Sequence, residues 1–491
     1  MSTKLQNELN PSKKIKFNNK GIQDYKKLIY DVLLKFVPIK CTEKDLVPCN
    51  YNKISSSKIG NSSVFKIDDY IYFRRSKDDQ VLIKLYCHGI ELDTRLLSSM
   101  NEKAVKIYNY YKLNELYNDA ESNTLSIDAI YKMIIDETIL LNLTSMLSEG
   151  SSNARGLLSK IFENFYNMIS DTYEGNQTTE VIIINSNFTD CNHGSKGISY
   201  CHKLDIKGLK PLINSRFSMV EVDFNGKIKK YKSIDNLDFK LNDNNITPYN
   251  YSFITNYLEK EISNKNSIAI VADEHGEILV YKHTELIFKF SQNMWHYISY
   301  LNFEAYLKKC YGELLTNLNN AKKLFNLLLD ASFLRNGACI GIMSKEQYDD
   351  FLLKNPVNKY IQEWNLLVDA EFKNSKSALP QDVFQQYKQY RKEKINVIKK
   401  INKEWDFSKI DRVLYSELLA LDGASIIVIN NDKWEIKCVG TIISPSSQGE
   451  SGGRLAAAKS LAHFGIGIKV STDGGINLFY KGDVNLEYII L

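Results

Sequence analysis

The chain has 491 residues, 44% apolar and 25% charged, with a formal net charge of +5. That length suggests two to four domains, and the balance is that of a globular protein able to bury a sizeable core. So small a charge gives no reason to expect nucleic-acid or membrane-surface binding, and no apolar run reaches the roughly 18 residues of a spanning helix.

Residues 1–21 are polar with a lysine-rich patch and no apolar h-region, and read as a disordered tail, not a signal peptide. The eight cysteines follow no regular framework, so reduced thiols and a cytoplasmic location are expected. Residues 25–36 are apolar at helical spacing, and residues 64–85 alternate as a hairpin around Lys77-Asp78-Asp79. Residues 101–173 are mostly helical in pattern, with a break near Gly150-Ser151-Ser152. Residues 181–185 are a buried strand. Two hairpins of one design follow, around Asp223-Phe224-Asn225-Gly226 and Asp273-Glu274-His275-Gly276. A mixed α/β domain is therefore expected over residues 22–295.

The second domain, 296–491, opens with a helical stretch and a strand at Asn336-Gly337-Ala338-Cys339-Ile340. Residues 358–403 are polar and helix-prone. Their basic, aromatic run, 387–400, reads as a solvated helical face, and no nucleic-acid partner is inferred. A short helix, 412–421, leads into Asp422-Gly423-Ala424 and the apolar run Ser425-Ile426-Ile427-Val428-Ile429. Residues 434–440 make the return strand. Gly452-Gly453-Arg454 opens another helix, and residues 466–470 and 476–480 form a last hairpin. The order α, β, α, β, β, α, β, β describes a mixed sheet flanked by helices, an α/β fold.

These residue types carry a recognisable chemistry. A carboxylate at a strand start can hold a metal ion. A Gly-Gly turn with an arginine at a helix N-terminus can cradle phosphate. Asp422 also fits a plain Asp-Gly turn, Gly452-Gly453-Arg454 a plain loop-to-helix junction, and Ser471 the opening of the Thr472-Asp473-Gly474 turn. Cys191, His193, Cys201 and His202 do not have the spacing of a standard zinc finger and read as a loop. His463 reads as a surface or core histidine.

In their order, Asn336-Gly337-Ala338-Cys339-Ile340, Leu421-Asp422-Gly423-Ala424, Ser451-Gly452-Gly453-Arg454, Val470-Ser471 and Gly475-Ile476-Asn477-Leu478 resemble the landmarks of diadenylate cyclases. The resemblance implies a C-terminal diadenylate cyclase fold joining two ATP into cyclic di-AMP. In that reading Asp422 and Arg454 are catalytic, with Asp422 holding Mg2+ or Mn2+. Gly423, Ala424, Gly452, Gly453, Arg454 and Ser471 contact nucleotide. A face-to-face homo-dimer or higher oligomer is implied, because each site takes two nucleotides. Residues 22–295 resemble, more faintly, sensor-type domains that precede such cyclases. The family's Arg-His-Arg turn is here Arg454-Leu455-Ala456, which opens the alternative of a catalytically impaired nucleotide or cyclic-dinucleotide binding module.

Overall fold

The computed structural model describes residues 19–36, 43–50, 62–68, 70–75, 81–86, 93–117, 127–147, 152–169, 172–173, 176–177, 179–185, 218–233, 246–261, 267–315, 318–354, 405–421, 423–430, 433–441, 443, 453–480 and 487–489. Asp422, Gly452, Cys191, His193, Cys201, His202 and the 358–403 segment lie outside the described residues. The chain divides into two compact units, residues 1–35, 41–88 and 92–138 in one and 36–40, 89–91 and 139–491 in the other.

The first unit contains helix α1 (Asn19–Phe36), strands β1 (Leu46–Asn50), β2 (Val64–Ile67), β3 (Tyr70–Phe73) and β4 (Val81–Tyr86), and helix α2 (Thr94–Tyr117). Helix α3 (Ile127–Leu147) follows. The strands pair antiparallel in the order β1-β4-β3-β2, so the expected hairpin is the middle of a larger sheet. Phe65, Tyr72 and Leu82 cluster on one face. Asn101 of α2 accepts a hydrogen bond from the Tyr25 hydroxyl and donates one to the Arg74 carbonyl at 2.9 Å.

The second unit carries two seven-stranded sheets. Helix α4 (Ser152–Ile169) and a two-residue ribbon, β5 (Thr172–Tyr173) with β6 (Asn176–Gln177), precede the first sheet. That sheet comprises β7 (Glu180–Asn185), β8 (Ser218–Val222), β9 (Ile228–Ser233), β10 (Ser267–Ala272), β11 (Ile278–Lys282), β12 (Glu285–Ser291) and β13 (Met294–Tyr297), with helix α5 (Ser252–Glu261) between β9 and β10. Its order is β13-β12-β11-β10-β7-β8-β9, and only β7 and β8 are parallel. The central β7 and β10 are buried along their length, and both carry continuous apolar runs, residues 181–184 and 268–272. Trp295 on β13 packs on α4, its indole N–H donating to the Tyr166 hydroxyl at 2.8 Å.

The second sheet follows helices α6 (Tyr300–Tyr311) and α7 (Leu318–Phe333). Its parts are β14 (Ala338–Ser344), helix α8 (Lys345–Lys354), β15 (Trp405–Asp406), helix α9 (Arg412–Leu419), β16 (Ala424–Asn430), β17 (Lys433–Thr441), helix α10 (Gly453–Ala462), β18 (Ile466–Val470), β19 (Ile476–Tyr480) and β20 (Glu487–Ile489). The order is β15-β17-β16-β14-β18-β19-β20, with β14 and β16 parallel and the other pairs antiparallel. On one face Cys339, Met343, Ala424, Ile426 and Val428 pack with Phe351 of α8 and Ala458 and Leu461 of α10. Helices α7 and α9 cover the other. Asp411 caps α9 by accepting from the Leu414 amide at 2.9 Å.

A buried ion pair ties these elements together. Arg412 of α9 donates from Nε and Nη2 to Asp330 of α7 at 2.6 and 2.7 Å, and from Nη2 to the Thr247 carbonyl. Asp330 also accepts from the Tyr249 amide at 2.8 Å. The mixed α/β class expected from the sequence is observed. No helix among the described residues is long and apolar enough to cross a membrane.

Candidate functional site

Strand register decides which residues meet. Ile340 of β14 lies opposite Ser425 of β16, and Ala338 lies opposite Val470 of β18. Ala424 lies opposite Thr441 at the end of β17. The starts of β14 and β16 and the ends of β17 and β18 therefore share one end of the sheet. Gly337, Gly423, Thr441 and Ser471 all fall there.

The first turn of α10 comes to the same end. The Arg454 guanidinium lies against Gly337, just before β14: a Cβ placed on Gly337 would sit 2.2 Å from Nη1 and 2.5 Å from Cζ. The positive charge also reaches Cys339. Burial pushes that thiol up to about 12 and the arginine pulls it back only in part, so Cys339 is a neutral core side chain and no nucleophile. Gly453 is exposed at the helix start, where the first amides of a helix have no partner within the helix and suit an anion.

Gly423 and Ala424 are built into the chain itself. Gly423 has φ +107°, and a Cβ there would come within 2.4 Å of the Gly440 carbonyl carbon. Beside it the register slips by one residue, and Gly440 takes φ +68° in the resulting bulge. The glycine that the sequence offers for close approach of a nucleotide thus allows close approach of the return strand. The Ala424 methyl is buried in the core under α10.

Ser471 is the first residue of a tight turn. Its N–H donates to the Gly475 carbonyl at 2.8 Å, and its carbonyl accepts from the Gly474 amide at 3.0 Å. The backbone of Ser471 therefore does what the turn reading expects. Its hydroxyl makes no hydrogen bond among the described residues. Leu455 packs against the core cluster that contains Met343 and Phe351, so the second position of the Arg454-Leu455-Ala456 turn faces the sheet. His463 is exposed just past the last residue of α10, roughly 13 Å along the axis from Arg454.

Four of the expected residues thus gather at one end of the sheet: Gly423, Gly453, Arg454 and Ser471. Ala424 stands beside them with its side chain inward. Asp422 and Gly452 lie outside the described residues. Gly337 stands in the sequence before a strand and within the first of the landmark segments, and its contact with Arg454 needed the fold to appear. Among the described residues no three His, Cys, Asp or Glu side chains come together as a metal cluster. No protein-family model matches the chain, and no curated protein matches it.

Proposed function

We propose that the chain is a nucleotide cyclase of the diadenylate cyclase type, working in a sensor-coupled second-messenger system. The observation that carries this reading is the convergence, from four separate chain segments, of Gly337, Gly423, Arg454 and Ser471 at one end of the second sheet. A guanidinium, a helix N-terminus and a hydroxyl at one place suit a polyphosphate.

In the reaction, the 3′-hydroxyl of each ATP attacks the α-phosphate of the other. Two ester bonds form, two phosphoanhydride bonds break, and two pyrophosphates leave. Arg454 and the amides of the α10 start would hold the triphosphate, and Ser471 would donate a hydrogen bond to nucleotide. Mg2+ or Mn2+ held by Asp422 would neutralise charge on the attacked phosphate. Two nucleotides must face each other, so two protomers are needed.

A second reading, a nucleotide or cyclic-dinucleotide binding module, draws on Leu455. Its half-buried side chain packs against the core at the position where the family's phosphate-binding turn carries a histidine. Incubating the full chain with labelled ATP and Mn2+ separates the two. Cyclic di-AMP and pyrophosphate support the cyclase, and saturable ATP binding without turnover supports the binder.

A further inference from the structure

Arg335 stands between the first sheet and the candidate site. It follows α7 with φ +56°, a left-handed conformation that is unfavourable for residues carrying a Cβ. It occupies the helix C-cap position usually taken by glycine. Its N–H donates to the Ser332 carbonyl at 3.2 Å, and the Asn336 amide donates to the Ala331 carbonyl at 3.1 Å. Gly337, the residue on which Arg454 rests, comes two positions later.

The arginine side chain is held at both faces. Nη2 donates to Glu277 Oε1 at 2.5 Å, at the base of the β10–β11 hairpin. Nη1 donates to the Asp473 carbonyl in the turn that begins at Ser471. The guanidinium fills the space beside Gly474, where a Cβ would lie 2.1 Å from Nη1. Ser332 donates to the Gly474 carbonyl at 2.5 Å in the same turn. Glu277 is itself buried and fixed by Lys289 at 2.8 Å.

We infer that Arg335 is a positioning residue of the candidate site, and that Glu277 is its anchor. Through Arg335 the first sheet sets the place of both the Ser471 turn and the Gly337 strand start. A left-handed non-glycine residue persists where its surroundings over-determine it, and here three contacts do so. The inference rests on the nucleotide reading of the site for its consequence, but not for its geometry.

Arg335→Gly is the informative variant. Glycine suits the left-handed cap, so the backbone is relieved while the guanidinium is lost. In the full chain, amide hydrogen exchange at Ser471 and Gly474 is expected to quicken about tenfold, the scale of losing a charge-assisted hydrogen bond. Exchange at Ile426 to Val428 in the core should stay at the parent's rate, and Arg335→Lys should fall between. The affinity for ATP with Mg2+ should drop by a similar factor. If the parent binds no ATP while the exchange effect appears, the nucleotide reading fails and the positioning role stands. Unchanged exchange at Ser471 and Gly474 in both variants would overturn the positioning role, whatever ATP does. Should Arg335→Gly not fold, Arg335→Lys decides on the same two amides.

Discussion

Gly337 and Arg454 share one volume. The guanidinium lies where any Cβ at position 337 would go, and the backbone of Gly337 is not in the left-handed region, so alanine can be built there only by moving the arginine. A long flexible side chain gives way more cheaply than a strand. Gly337→Ala should therefore leave the melting temperature within a few degrees of the parent. ATP affinity should fall about tenfold, the scale of a hydrogen bond to a charged group. Adenosine affinity should not change. Arg454→Ala should have the same profile, and the double variant should bind no worse than either alone, because both remove one contact. Calorimetry with the two ligands checks this, and a Gly337→Ala protein that binds ATP like the parent contradicts it. Arg454 was legible from its place after two glycines at a helix start. Its resting place was not, because nothing local links residue 337 to residue 454. The side-chain directions of Ala424 and Leu455 were equally hidden, since each depends on which face of the sheet a helix covers.

The hairpins were the most legible elements. Asp223 and Asp273 each accept from the amides two and four residues on, at 2.8–2.9 Å, and Gly226 and Gly276 both take φ +73°. The Asp-x-x-Gly spacing encodes that turn locally. The β12–β13 hairpin was missed because it turns on Gln292-Asn293, with φ +51° and +62°, where no glycine flags the left-handed pair. The Asp273 turn also carries a pH dependence. Burial first, and then the neighbouring Glu277 carboxylate, push the Asp273 carboxyl from 3.8 up to about 7. Glu277 has Lys289 and Arg335 as cationic partners. Between those pH values the folded chain holds a proton that the unfolded chain has released, so this group's contribution to stability is lost as pH rises from about 4 through about 7. His296 works the other way. Burial lowers it from 6.5 to about 4, so stability rises with pH across that interval. Asp273→Asn keeps the acceptor for both amides and removes only the titration. Relative to the parent it should gain stability, on the order of a few kcal/mol, as pH goes from 5 to 8. Denaturant titrations at several pH values measure the difference, and parallel curves for the two proteins would exclude a protonated Asp273.

At the scale of the molecule, the second unit joins two seven-stranded sheets through buried charge. The Asp330–Arg412 pair joins segments 82 residues apart in sequence, and the Glu277–Arg335 pair segments 58 apart. Neither could be foreseen, because ion pairs of that separation leave no periodic trace. The strand order of the second sheet was foreseeable in part, since its α, β, α, β, β, α, β, β succession restricts the connections available. One candidate half-site per chain has a kinetic consequence. If two protomers complete a reaction centre, cyclic product formed per milligram of protein should rise with protein concentration in the dilute range, and a flat dependence would argue against face-to-face assembly. The most direct measurement compares the full chain with its Asp422→Asn variant, assaying cyclic di-AMP and pyrophosphate from ATP with Mn2+. The substitution keeps the shape of the side chain and removes its charge. The cyclase account predicts product from the parent and at least a hundredfold less from a variant of unchanged melting temperature, on the scale of losing a group that stabilises developing charge. Equal turnover by the two proteins, or no cyclic product from the parent, would contradict it.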